Sequence, residues 1–114
     1  MSLAVVGSRT FSSYDLLKQR LDQEFATNPF HTIVSGGADG ADSLAARYAK
    51  QNNINLVELR PDYSKGRYAP LLRNTDIVNA SDRVIAFWDG KSPGTNDTIK
   101  KTRRANKPLI IVPV

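Results

Sequence analysis

The chain has 114 residues, 40% hydrophobic and 24% charged, with a formal net charge of +5 and no cysteine. That length gives one domain, residues 1–114, with room for a single core. Absence of cysteine excludes a disulfide framework, a thiolate nucleophile and a Cys-ligated metal. A strand begins almost at the first residue, leaving no room for a signal peptide. No apolar run approaches a membrane span, so a cytoplasmic protein is expected.

Leu3-Ala4-Val5-Val6 reads as a buried parallel strand ending in Gly7-Ser8-Arg9-Thr10. Ser13 suits the N-cap of a helix carrying Leu16, Leu17, Leu21 and Phe25, closed by Asn28-Pro29. His31 to Ser35 is a second strand. It runs into Gly36-Gly37-Ala38-Asp39-Gly40 and a helix with Leu44, Ala45, Ala46, Tyr48 and Ala49, ended by Asn52-Asn53. Asp39 is a candidate cap for that helix, and Asp42, three residues on, can reach back. Ile54 to Leu59 is a third strand, followed by a polar loop from Arg60 to Ala69. Pro70 suits the first turn of a third helix with Leu71, Leu72, Ile77 and Val78. Arg83 to Trp88 is a fourth strand, Asp89 to Gly94 a loop, Thr95 to Asn106 a helix, and Leu109 to Val114 the last strand.

Five apolar strands alternating with four helices predict an α/β Rossmann-like three-layer sandwich, with a parallel sheet in the order 3-2-1-4-5. The order reverses between the first and fourth strands, and ligands in open α/β sheets bind at such a reversal, beyond the carboxyl ends of the strands. Three turns converge there: Gly7-Ser8-Arg9, Ser35 to Asp42, and Trp88 to Thr95.

Gly7-Ser8-Arg9 offers amides, a hydroxyl and a guanidinium suited to phosphate, or is simply a tight turn with a surface arginine. Gly36, Gly37 and Gly40 stand between strand and helix, where amides and the helix dipole favour an anion. Their spacing is neither a dinucleotide fingerprint nor a P-loop. Asp39 and Asp42 either cap the helix or contact a sugar and do acid–base work. Ser92-Pro93-Gly94-Thr95 is an ordinary cap or a second anion cradle. Trp88 is core or a stacking platform for a base. Arg73-Asn74 is a surface helix position or reaches in over the third strand. Lys100, Lys101, Arg103, Arg104 and Lys107 form a solvated helix face or a nucleic-acid patch. The one histidine, His31, stands at the amino end of its strand, so no Ser-His-Asp triad is available. No cluster has metal-ligand spacing, and any Mg²⁺ would arrive with a nucleotide.

Ala4 to Arg9, Ile33 to Asp42 and Ser92 to Ile99 resemble the three signature blocks of the SLOG superfamily, the group containing DprA (Smf) and the LOG phosphoribohydrolases. Gly66-Arg67 to Arg73-Asn74 and Ile85-Ala86-Phe87-Trp88 are similar to its small stand-alone YspA-like branch. The resemblance implies a nucleotide or nucleotide-derived ligand and a homodimer. Its ligand-facing positions would be Gly7, Ser8, Arg9, Ser35, Gly36, Gly37, Gly40, Asp42, Arg73, Asn74, Ser92, Gly94 and Thr95. The LOG pattern P-G-G-x-G-T-x-x-E has a glutamate where this chain has Thr98, with Asp97 one residue earlier. The expected function is a module that senses or sequesters such a ligand. An alternative is a hydrolase cleaving its N-glycosidic or phosphate bond, with Asp42 and Asp97 as catalytic candidates. A second alternative is single-stranded nucleic-acid binding through the basic last helix.

Overall fold

Five parallel strands form one sheet in the order β3-β2-β1-β4-β5, with two helices on each face. The computed structural model describes all residues, Met1–Val114. The strands are β1 Ser2–Gly7, β2 Thr32–Ser35, β3 Asn55–Glu58, β4 Arg83–Trp88 and β5 Leu109–Pro113. The helices are α1 Tyr14–Thr27, α2 Ala41–Gln51, α3 Ala69–Ala80 and α4 Pro93–Arg104. The predicted α/β Rossmann-like sandwich is therefore the observed one.

The alternation of side chains along a strand separates two apolar layers. Leu3 and Val5 of β1 face α1 and α2 with Leu17, Leu21, Ala45 and Phe87. Ala4 and Val6 face the other side, with Ile77 of α3 and Ile99 of α4. β1 lies at the centre, paired with β2 from Ser2↔Thr32 and with β4 from Leu3↔Arg83. Its four central residues are buried, whereas β3, with one neighbour only, exposes Asn55, Val57 and Glu58. The buried strand read at Leu3–Val6 is therefore the central one, and the edge strand is open to water.

Several boundaries depart from expectation for local reasons. α4 begins at Pro93 rather than Thr95, because proline's fixed φ and missing N–H suit a first helical position. It ends at Arg104, after which Asn106 takes a left-handed φ of 56°. The cap of α2 is Gly40, not Asp39, which is exposed. Gly40 has φ 75°, and a Cβ there would lie 2.3 Å from the Ser8 carbonyl oxygen, so β1's exit loop imposes glycine at the cap. Ser13 caps α1 as expected, accepting from the Leu16 amide at 3.3 Å. The Arg60 to Ala69 loop contains a 3-10 turn, Tyr63–Lys65, set by the Asp62 carboxylate, which accepts from the Ser64 amide and hydroxyl.

Arg83, the first residue of β4, is charged yet only 4% exposed. Its guanidinium donates to the Asn28 carbonyl and lies over the Phe30 ring. Glu24 stands 3.8 Å from Nε, which has no hydrogen-bond partner, so that contact supplies charge without a bond. No helix is long and apolar enough to cross a membrane.

Candidate functional site

The carboxyl ends of β1, β2 and β4 open into a cleft of two compartments. The larger, about 420 Å³, is lined by Gly7, Arg9, Asp42, Arg73, Asn74, Asp89 and the start of α4. The smaller, about 390 Å³, is lined by Gly36, Gly37, Asp39, Arg60, Pro61 and Tyr63. Arg9, Ala38 and Arg73 border both and form the wall between them. Both volumes fall in the range of small-ligand sites.

Glycines bring the walls together. A Cβ on Gly7 would lie 2.5 Å from the Phe87 carbonyl oxygen and 2.7 Å from the Ala41 Cβ. On Gly36 it would meet the Arg73 guanidinium at 2.4 Å. That guanidinium donates to the Gly36 carbonyl at 3.0 Å, the Leu59 carbonyl at 3.4 Å and the Asn74 side-chain oxygen at 3.1 Å. Burial moves the Arg73 pKa down from its ordinary value, with Asp42 acting against it, and leaves the cation in the dividing wall. Arg9 is exposed and makes no hydrogen bond to the protein, so its guanidinium faces the hollow uncommitted.

Asp42 is 7% exposed and accepts from the Ala38 amide at 3.2 Å. Burial pushes its pKa up to about 6, against the Ala38 amide, the Arg73 charge and the Gly36 amide. The amides of the glycine turn, expected to hold a ligand's phosphate, are therefore turned onto a carboxylate of the chain itself. The anion cradle that stays open is the other one. α4 starts at the cleft with no side-chain cap, leaving the first-turn amides of Gly94 and Thr95 without intrahelical partners.

The loop before α4 is held by Asp89, which sequence reading missed. Its carboxylate accepts from the Lys91 and Ser92 amides, both at 2.8 Å. Chiefly the Ser92 amide, then that of Lys91, holds its pKa down at about 2. Asp-x-x-Ser directly after a strand is the local signal that would have found it.

Five expected site residues do not border the hollow. Ser8 is buried, its hydroxyl accepting from the Asp89 amide at 3.2 Å and the Ser92 hydroxyl at 3.1 Å, so it ties two loops together. Ser35 is fully buried and its hydroxyl has no partner. Gly40 is pressed against the Ser8 carbonyl. Trp88 packs on the α3–α4 side of the core and donates its indole N–H to the Ser92 carbonyl at 3.1 Å. Asp97 stands behind the wall, accepting from the Asn74 amide at 3.1 Å and paired with Lys101 at 2.8 Å. Arg60, Pro61 and Tyr63 were missed, since a polar loop has no period that marks which side chains turn inward, and Pro70 was read only as a helix start.

A family model described as the YspA, cpYpsA-related SLOG family matches residues 1–66, which include both Gly7-Ser8-Arg9 and Gly36 to Asp42. The Gene 61 protein of Mycobacterium phage D29 is 34% identical over 114 residues, covering 93% of this chain and 91% of that protein. The DNA processing protein DprA of Streptococcus pneumoniae superposes with TM-score 0.79 at 20% identity, over 99% of this chain and 50% of its own. DprA of Helicobacter pylori, solved for its single-stranded DNA binding mode, gives TM-score 0.69 at 24% identity, over 100% and 66%. The chain thus spans half to about two thirds of these DprA structures, and at such identities the likeness is one of fold. A model matched over more than half the length, and a relative 34% identical across nearly all of it, place this chain in the YspA, cpYpsA-related SLOG family.

Proposed function

We propose that the protein binds a phosphate-bearing nucleotide or nucleotide-derived ligand in this cleft, as a sensing or sequestering module. The carrying observation is the pairing of two arginines, Arg9 and Arg73, with the uncapped start of α4 across one polar hollow at the sheet's switch point. Bidentate guanidinium and helix amides are the donors a phosphate takes. Calorimetric titration of the full chain with 5′-ribonucleoside monophosphates tests this. The expected result is binding that Arg9→Met weakens by about tenfold, the loss of one charge-assisted contact. Equal affinity in the variant, or none in the parent, rejects it.

Asp42 favours a second reading of the same pocket, hydrolysis of the bound ligand. A carboxyl with a pKa of about 6 is poised to pass a proton at neutral pH. Release of free base or phosphate during the titration, abolished by Asp42→Asn, would replace the binding reading with this one.

The likeness to a DprA solved for single-stranded DNA binding motivates a third arm. Lys101 donates to the Leu71 carbonyl and Lys107 to those of Val78 and Ser81, so both are engaged at α3. Lys100, Arg103 and Arg104 remain exposed and form no ion pair within the chain. If those three carry a single strand, log K falls with log salt at a slope of about −2. Their replacement by alanine flattens it.

A further inference from the structure

The compartment beside Tyr63 has the chemistry of a slot for a flat, unsaturated ring. Tyr63 is 69% exposed, the highest of the exposed large hydrophobic residues. Tyr63, Tyr68, Leu71 and Leu72 all lie on the segment flanking the cleft. An aromatic left in water on a loop that borders a pocket has a ring face free for a ligand. The loop is nevertheless ordered from within. Asp62 caps the 3-10 turn, Gly66 donates its amide to the Tyr63 carbonyl at 3.1 Å, and Ala69 donates to the Gly66 carbonyl at 3.1 Å.

A second planar face stands in the same compartment. The Arg60 side chain is largely in solvent, but its guanidinium donates to the Gly37 carbonyl at 3.1 Å and pairs with Glu58 at 2.9 Å, two bonds that orient its plane. The floor is the bare main chain of Gly36 and Gly37. A Cβ on Gly37 would meet the Arg60 guanidinium carbon at 2.9 Å. Phenol and guanidinium faces are the two surfaces on which nucleobases stack. Trp88, the other aromatic near this rim, packs on the core side and is committed to Ser92.

We propose that this compartment is the nucleobase subsite, Tyr63 and Arg60 stacking the base while Arg9 and Arg73 hold its phosphate next door. This rests on the phosphate reading above and adds where the base goes. Arg9 and Arg73 border both compartments, so a phosphate in one and a base in the other would meet the same pair of cations. The base belongs either to a free nucleotide or to the end of an oligonucleotide.

The test uses the full chain with AMP, ribose 5-phosphate and a 5′-phosphorylated oligoadenylate. Tyr63→Ala is expected to weaken AMP by about tenfold or more, the worth of one stacked base, and to leave ribose 5-phosphate unchanged. Tyr63→Phe, which keeps the ring, retains AMP affinity. In Tyr63→Trp, AMP quenches the added indole emission and ribose 5-phosphate does not. Oligoadenylate binding that tracks AMP assigns the base to a strand's end, and AMP binding alone assigns it to a free nucleotide. Tyr63→Ala weakening AMP and ribose 5-phosphate equally, or neither, overturns the base subsite with phosphate binding intact. Failure of the parent to bind ribose 5-phosphate and AMP removes both readings. A change in sedimentation with Tyr63→Ala overturns the subsite by making Tyr63 a contact between copies.

Discussion

The Asp42 carboxylate accepts the Ala38 amide at 3.2 Å, and with that bond a turn built like an anion cradle encloses an anion of its own. Asp42 ionises near 6 in the fold against 3.8 when unperturbed, burial being the main cause. Between those values the folded chain binds more protons than the unfolded one. Stability therefore falls as pH rises through the window from about 4 to about 6, by roughly 3 kcal/mol in all. Above it the loss is complete. Asp42→Asn should match the parent at pH 4 and be more stable at pH 8, as read by urea midpoints. Parallel curves at the two pH values would show that Asp42 does not titrate in this way. The same substitution should tighten phosphate binding at pH 8, because it removes a negative charge from the cleft.

The two arginines should separate by what else they hold. Arg73 is tied to the Gly36 and Leu59 carbonyls and to Asn74, whereas Arg9 makes no bond to the protein. Arg73→Lys keeps the charge but cannot satisfy those carbonyls together, so it should lower Tm by several degrees, a cost of about 1–2 kcal/mol. Arg9→Met should leave Tm unmoved while weakening nucleotide binding. Thermal melts beside titrations decide it, and equal melting losses for both would refute the division of roles.

Glycines at the starts of α2 and α4 should respond oppositely. At Gly40, φ 75° and the Ser8 carbonyl oxygen at 2.3 Å from a built Cβ make Gly40→Ala costly, by about 2 kcal/mol or more. At Gly94 nothing lies within 4 Å of a Cβ. Gly94→Ala should therefore be neutral or stabilising by up to about 1 kcal/mol, while crowding the open start of α4 and reducing phosphate affinity. An unstable Gly94→Ala, or one with full affinity, would contradict this.

Asp89 links acid sensitivity to the loop that opens α4. Its carboxyl is held at about 2 by the Ser92 and Lys91 amides, below the ordinary 3.8. Its contribution is present above pH 4 and is lost as pH falls toward 2. Asp89→Ala should lower the melting temperature at pH 7 and flatten the parent's decline between pH 4 and 2. An unchanged decline would place the acid-sensitive group elsewhere.

What could be read beforehand was what local pattern encodes. β-branched runs such as Ile33-Val34 mark strands, and their alternation with helices leaves one natural order for the sheet. Arg9, Gly36 and Gly94 were legible because glycine and arginine at strand ends carry their meaning in place. Asp42 was only half legible: that a carboxylate at the helix start reaches back was plain, but its partner is the Ala38 amide and not the expected cap, Asp39. The burial of Arg83 was not legible, because its partners, Asn28 and Glu24, come from the distant end of α1. Tyr63 was missed because a loop aromatic acquires significance only when the fold sets it in one compartment with Gly36 and Gly37, which follow a different strand.

β1 is hydrogen-bonded on one flank to β2 and on the other to β4, which is synthesised long after it. A fragment stopping at residue 66 would leave β1 half zipped, with Gly7 and Arg9 facing nothing. The cleft is thus a product of closure, made when β4 docks and carries α4 to its place. Any occupant that touches both Arg9 and Gly94 staples early and late segments together, and by mass action it would raise the melting point of the entire molecule rather than of one loop.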